Sequence, residues 1–187
     1  MKKIILSTLV LIALSGCKKE NQKIEDTSVS SDSISVNENM EPASTSSPLP
    51  EVSPENVGKY LAKSSDTLYV TNFFATWCGP CMREIPHFKN KMQELKGKPV
   101  KFTFISLDNK ADWDGAVKRF AEENNLSEHI VLLDGQKLDQ NFFKNNFKQW
   151  DGGSIPFTYL KKGDKTDEVV GMMTEDMLNS KIDSFLK

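Results

Sequence analysis

Cysteine and histidine are scarce in this 187-residue chain, with three of the first and two of the second. Cys17, Cys78 and Cys81 are too few to staple a disulfide scaffold. Structural zinc usually needs two cysteine pairs, or histidines at suitable spacing. His87 lies six residues after Cys81 on an expected helix and points elsewhere, so no metal site is expected. Charge of one sign is also missing. Lys plus Arg number 24 against 26 Asp plus Glu, a net −2, which gives no reason to expect a nucleic-acid partner. Apolar residues make up only 38% of the chain, and the deficit is expected to be local. The apolar run Ile4–Leu14 is too short to span a bilayer well. No internal repeat is present, and the length suits one domain of ordinary size plus tails.

What is present begins at the N-terminus. Lys2 and Lys3 precede the apolar run, as a positive region precedes the core of a secretory signal. The run ends in Leu14-Ser15-Gly16-Cys17, which resembles the lipobox of bacterial lipoproteins. The resemblance implies removal of residues 1–16 as a signal peptide and acylation of Cys17, with the lipid bilayer as a partner. An ordinary secretory signal that ends near a cysteine is the alternative. Residues 17–53 are dominated by serine, acidic residues, asparagine and proline and contain no aromatic residue. Such a segment cannot bury enough surface to offset its ordering entropy. It is expected to be a disordered spacer, with an r.m.s. span of roughly 30–35 Å from about 5–6 Å × √n. The folded domain is then expected over residues 54–187, held outside the cytoplasm.

Within that domain the patterns alternate. A short helix is predicted from Pro54 to Lys63, then a strand from Thr67 to Ala75 whose nearly continuous apolar content suits burial on both faces. Met82, Ile85, Phe88, Met92 and Leu95 place a helix over Pro80–Leu95, with Pro86 inside it. A strand at Val100–Leu107, a helix at Ala111–Asn124 and a short strand at Ile130–Leu133 follow. Gln136 to Asn146 reads as helix, Trp150–Ser154 as loop, and Phe157–Leu160 and Glu168–Val170 as a hairpin. Thr174 caps a last helix that reaches Leu186. The order implies an α/β fold, a mixed central sheet flanked by helices on both faces.

Trp77-Cys78-Gly79-Pro80-Cys81 joins the first long strand to its helix. Only a thiolate attacks a disulfide, and a helix N-terminus stabilises one through its partial positive charge and unpaired amides. Cys78, just before that terminus, is the expected exposed nucleophile, and Cys81, one turn on and more buried, resolves the mixed disulfide. Gly79 and Pro80 permit the tight entry into the helix. Half a zinc site and a structural disulfide are the alternatives. The first lacks partner ligands, and the second closes too short a loop to be an effective clamp.

The pentapeptide matches the thioredoxin active site, and residues 66–187 resemble the membrane-tethered thioredoxin-like proteins of the TlpA/ResA type. Three stretches carry the resemblance: Asn72-Phe73-Phe74-Ala75-Thr76-Trp77, Cys81-Met82-Arg83-Glu84-Ile85-Pro86 and Ser154-Ile155-Pro156-Phe157-Thr158. It implies the thioredoxin fold, with Asn72 in place of a buried aspartate and Glu84 as an acid/base group near the thiols. It also implies a cis Pro156 that leaves the Ile155 backbone free to pair with substrate, and Trp77 flanking the docking surface. Blander readings remain at this stage: Glu84 as a solvated helix-face residue, Pro156 as a strand opener, Trp77 as core and Asn72 as a locally bonded core residue. Trp113 and Trp150 are expected to be packing or loop anchors.

The function so implied is a monomeric thiol-disulfide oxidoreductase with no bound cofactor, reducing protein disulfides and fed electrons by a membrane partner. The glycine-proline pair points to a reducing potential like that of thioredoxin, about −270 mV. A disulfide oxidase or isomerase on the same fold is one competing function. A non-enzymatic metallochaperone using the thiols as soft ligands is the other.

Overall fold

The computed structural model describes residues 48–61 and 65–187. The expected signal peptide, Cys17 and most of the expected spacer lie outside these residues. Leu68–Phe74 forms β1, in which six of seven residues are buried. It pairs in parallel with β2 (Val100–Ser106) and antiparallel with β4 (Phe157–Lys162), so both of its edges are satisfied. β3 (Ile130–Leu132) extends the sheet beyond β2, and β5 (Lys165–Val170) beyond β4, in the order β3-β2-β1-β4-β5.

Alternation along β1 divides the core in two, because successive side chains point to opposite faces. Leu68, Val70 and Phe74 join Phe102, Phe104 and Leu160 beneath α2 (Gly79–Glu94) and α5 (Glu175–Leu186). Phe73, with Ile105, Phe157 and Tyr159, faces the other way, toward α1 (Gly58–Leu61), α4 (Gln140–Asn146) and an aromatic group that includes Phe147 and Trp150. Helices thus cover both faces. Each buried phenylalanine stabilises the fold by about 1.5–3 kcal/mol relative to exposure. Lys91 ties α2 to α5 through Asp183 at 2.8 Å and also bonds Glu94 at 2.9 Å. Desolvation of its ammonium lowers its pKa, but the hydrogen bonds and charges of Asp183 and Glu94 outweigh that and leave it raised.

Several boundaries differ from expectation, each for a local reason. Pro50–Val52 fall within the expected spacer, yet Leu132 donates to the Pro50 carbonyl and Val52 donates to that of Leu132, both at 2.8 Å. Val52 is buried, so order begins before residue 54. The helix predicted over 111–124 is a 3₁₀ turn at Lys110–Asp112, a π turn at Trp113–Val117 and α3 at Lys118–Asn124. The wider turn lets the Trp113 indole donate to the Asp108 carbonyl at 3.0 Å while Val117 stays in the core. Asn125 closes α3 at φ 57°. The helix predicted over 136–146 starts twice, because Asp134 caps a 3₁₀ turn at Gly135–Lys137 and Asp139 caps α4. β4 and β5 run longer than their apolar parts, closing through Lys162↔Lys165 around Gly163 at φ 55°.

Candidate active site

The carboxyl ends of the parallel strands and the start of β4 lie at one pole of the sheet, where α/β folds place their ligand sites. The dithiol sits there. Cys78 is the N-cap of α2, extended at φ −82° and ψ 100°, and its Sγ accepts from the Cys81 amide at 3.2 Å. Gly79 and Pro80 fill the first helical positions, where proline's missing donor is not needed. Cys78 and Cys81 are joined as a disulfide with Cα atoms 5.2 Å apart. Cys78 is 5% exposed and Cys81 fully buried. The expected ranking holds, but Cys78 is far less open than predicted. Its residue lines the wall of a groove of about 580 Å³.

The same groove is lined by every predicted docking residue except Pro156: Trp77, Gly79, Pro80 and Ile155. Trp77 is 69% exposed, which rules out the core-packing alternative. The Ile155–Pro156 bond is cis, and the Ile155 carbonyl lies 3.7 Å from Cys78 Sγ. Among the described residues the Ile155 amide has no hydrogen-bond partner. Trp150 holds this loop: its indole donates to the Ser154 carbonyl at 2.8 Å, and its ring stacks on Phe157 at 4.3 Å. Gly171 donates to the Pro156 carbonyl at 2.8 Å from the β5 side.

Glu84 is 1% exposed, so it is not a solvated helix-face residue. Cys81, Glu84, Ile85 and Phe88 form one buried stripe of α2, with Glu84 one turn beyond Cys81. Asn72 lies on the α2 face of β1 and donates to Glu84 Oε1 at 2.8 Å and to the Thr158 hydroxyl at 3.0 Å. The Met173 amide donates to Glu84 Oε2 at 3.1 Å. Burial raises the Glu84 carboxyl from 4.5 to about 7, while the bonds from Met173 and Asn72 pull it down. Among the described residues Asn72 Oδ1 is buried with no hydrogen-bond partner, so this polar pocket retains one open acceptor.

A second buried carboxylate holds the segment that leads into the dithiol. Asp108 is fully buried and accepts from the Thr76 amide at 3.0 and 3.1 Å, from the Thr76 hydroxyl, and from the Ser106 hydroxyl at 2.8 Å. Thr76 is thereby fixed two residues before Cys78. Asp108 and its donors were not singled out from the sequence, nor were Thr158 and Met173. Glu84 had a usable signal, since a charged residue stands on an apolar helical stripe. Asp108 had none, because its main donor lies 32 residues away. The structure brings Cys78, Cys81, Glu84, Trp77, Gly79, Pro80, Ile155 and Pro156 to one pole; Cys17 lies outside the described residues. Among the described residues no three His, Cys, Asp or Glu side chains are grouped so as to hold a metal ion.

Comparison with known proteins gives this arrangement a family. The pattern of the Redoxin family matches residues 36–150. Thiol-disulfide oxidoreductase ResA of Bacillus thuringiensis (strain Al Hakam) is 28% identical over 109 residues, which is 57% of this chain and 57% of that protein. Its counterpart from Bacillus subtilis (strain 168) is 30% identical over 111 residues, 58% of this chain and 55% of that protein. The chain therefore spans little more than half the length of these curated relatives. A thiol:disulfide interchange protein of the thioredoxin family from Chlorobium tepidum TLS superposes with a TM-score of 0.55 at 18% identity. That match covers 75% of this chain and 98% of the other, and it supports the thioredoxin fold. The chain belongs to the Redoxin family, has the thioredoxin fold and is similar in sequence to thiol-disulfide oxidoreductases named ResA.

Proposed function

We propose that this protein is an extracytoplasmic thiol-disulfide oxidoreductase that reduces protein disulfides through Cys78 and Cys81, tethered to a bacterial membrane by an acylated Cys17. One observation carries the reading: the dithiol caps a helix and opens onto a groove edged by the cis Pro156 loop. The names of its relatives, thiol-disulfide oxidoreductases, agree with it.

In the reduced protein the Cys78 thiolate, stabilised by the α2 N-terminus, attacks one sulfur of a substrate disulfide. A Cys78–substrate disulfide forms and the other substrate sulfur leaves as a thiolate. Cys81 then gives up its proton and attacks Cys78 Sγ. The Cys78–Cys81 disulfide forms, and the second substrate thiol is released. Two electrons pass to the substrate, and an external dithiol, supplied by a membrane donor, restores the reduced state. Glu84 is the proton acceptor for Cys81, since a carboxyl held near pH 7 can both take and return a proton at neutral pH. The Ile155 amide pairs with the substrate backbone, as a strand edge does with an added strand. No bound cofactor enters the cycle. Attachment is assigned to Cys17 because Leu14-Ser15-Gly16-Cys17 resembles a lipobox; among the described residues no helix is long and apolar enough to cross a membrane.

The direction is tested by equilibrating the full chain with glutathione and by following insulin reduction. A potential near −270 mV, like that of thioredoxin, with insulin reduced, supports a reductase. A potential near −120 mV reverses the direction and makes the chain an oxidase.

A further inference from the structure

β5 ends the sheet on the side away from β1, and its side chains alternate between the two faces. Glu168 lies opposite Tyr159 of β4, so it turns toward the aromatic face, where it is 8% exposed. A carboxylate withdrawn from water among rings is costly unless hydrogen bonds replace its hydration. Glu168 has three such contacts, from the Lys148 amide at 2.9 and 3.1 Å and from the Gln149 amide at 2.7 Å. Among the described residues no backbone carbonyl accepts from either amide. The turn after α4 therefore depends on this one side chain for its donors.

The gripped segment leads into the loop beside the dithiol. Phe147 and Trp150, on either side of the two amides, are buried with their rings 5.2 Å apart. Trp150 then stacks on Phe157 and bonds the Ser154 carbonyl, one residue before Ile155. At the far end, Gly171, which follows β5, donates to the Pro156 carbonyl at 2.8 Å. β5 and its exit thus hold residues 148–156 at both ends, with a carboxylate at one and backbone at the other. The backbone bond needs no particular side chain, whereas the carboxylate bonds need Glu168.

We infer that Glu168 is a positioning residue for the redox reaction: its carboxylate fixes the turn at Lys148 and Gln149 and, through Trp150, sets the Ile155 backbone beside Cys78. This rests on the oxidoreductase reading above and adds to it a residue outside the groove. The Ile155 carbonyl lies 3.7 Å from Cys78 Sγ, so a loop displaced by about 1 Å would misalign a substrate segment paired to Ile155. Docking is the step that suffers, because Cys78 itself is held by α2.

The test uses the full chain and Glu168→Gln, which matches glutamate in size and keeps one acceptor oxygen. With insulin as substrate and dithiothreitol as reductant, the variant should raise KM at least about fivefold and change kcat less than about twofold. Trp150→Phe should raise KM as well. If Glu168 acts through Trp150, the double variant should be little worse than the poorer single one. In the oxidised protein, amide exchange in Glu168→Gln should speed at least about tenfold at Lys148 and Gln149 and also speed at Gly171, while β1 amides stay protected. Should Glu168→Gln lose its cooperative urea transition, Glu168→Asp, with the charge kept and the reach shortened, takes its place in every measurement. KM effects that multiply in the double variant would overturn the inference. So would a fall in kcat with KM unchanged, or faster exchange confined to Lys148 and Gln149. Failure of the parent chain to reduce insulin would instead sink the oxidoreductase reading, and exchange at Gly171 would still decide whether Glu168 positions the loop.

Discussion

Replacing Glu84 by glutamine should change how stability depends on pH. In the folded chain burial holds the Glu84 carboxyl at about 7, against 4.5 in the unfolded chain. Between those values the unfolded state has released its proton and the folded state has not, so folding becomes less favourable as pH rises from 4.5 to 7. At about 1.4 kcal/mol per pH unit, the loss approaches 3 kcal/mol and is complete above pH 7. Glu84→Gln removes the titration. Its amide oxygen can accept from Met173 or from Asn72 but replaces both bonds poorly, which lowers stability by an amount that does not vary with pH. The difference between variant and parent should therefore move in the variant's favour by about 3 kcal/mol from pH 4.5 to pH 8. Urea unfolding of the oxidised full chain at pH 4.5, 6 and 8 measures it, with equal slopes required for the comparison. A difference that stays constant within about 1 kcal/mol, or that moves the other way, would refute the assignment of a buried, proton-holding Glu84.

Two further substitutions probe the supports of the site. Asp108→Ala strands the Thr76 amide and the Ser106 hydroxyl and should cost about 2–4 kcal/mol, whereas Thr76→Ser, which keeps both donors, should cost under about 1 kcal/mol by urea unfolding. Equal losses would show that Asp108 does not act through Thr76. Trp150→Phe keeps the ring on Phe157 but removes the bond to the Ser154 carbonyl. Hydrogen exchange should then speed at Gly171, whose amide bonds the Pro156 carbonyl, while β1 amides stay protected; unchanged exchange at Gly171 would argue against Trp150 as the anchor of the loop.

Much of this was legible in local pattern. The apolar run of β1 reports burial on both faces, and the dithiol with Gly79-Pro80 reports a helix start, because each depends on residues close in sequence. Glu84 was visible as chemistry through resemblance, and its burial was also encoded in the spacing of Cys81, Ile85 and Phe88. What escaped depends on distant partners. Asp108 finds Thr76 across the sheet end, and Pro50–Val52 find Leu132 some eighty residues on. The π turn at Trp113–Val117 follows from an indole bonding back to Asp108, which helical periodicity does not register. The near burial of Cys78 results from the Ile155 loop closing over it, again a contact between remote segments.

The division of labour between the two cysteines is open to a direct measurement. A Cys81→Ala variant of the full chain, reduced and mixed with an insulin disulfide, should accumulate a covalent complex through Cys78 that mass spectrometry locates and dithiothreitol releases. The Cys78→Ala variant should form little, because Cys81 is fully buried. A complex held through Cys81 in the Cys78→Ala variant, with none in Cys81→Ala, would contradict Cys78 as the nucleophile and the groove as the place where substrate meets it.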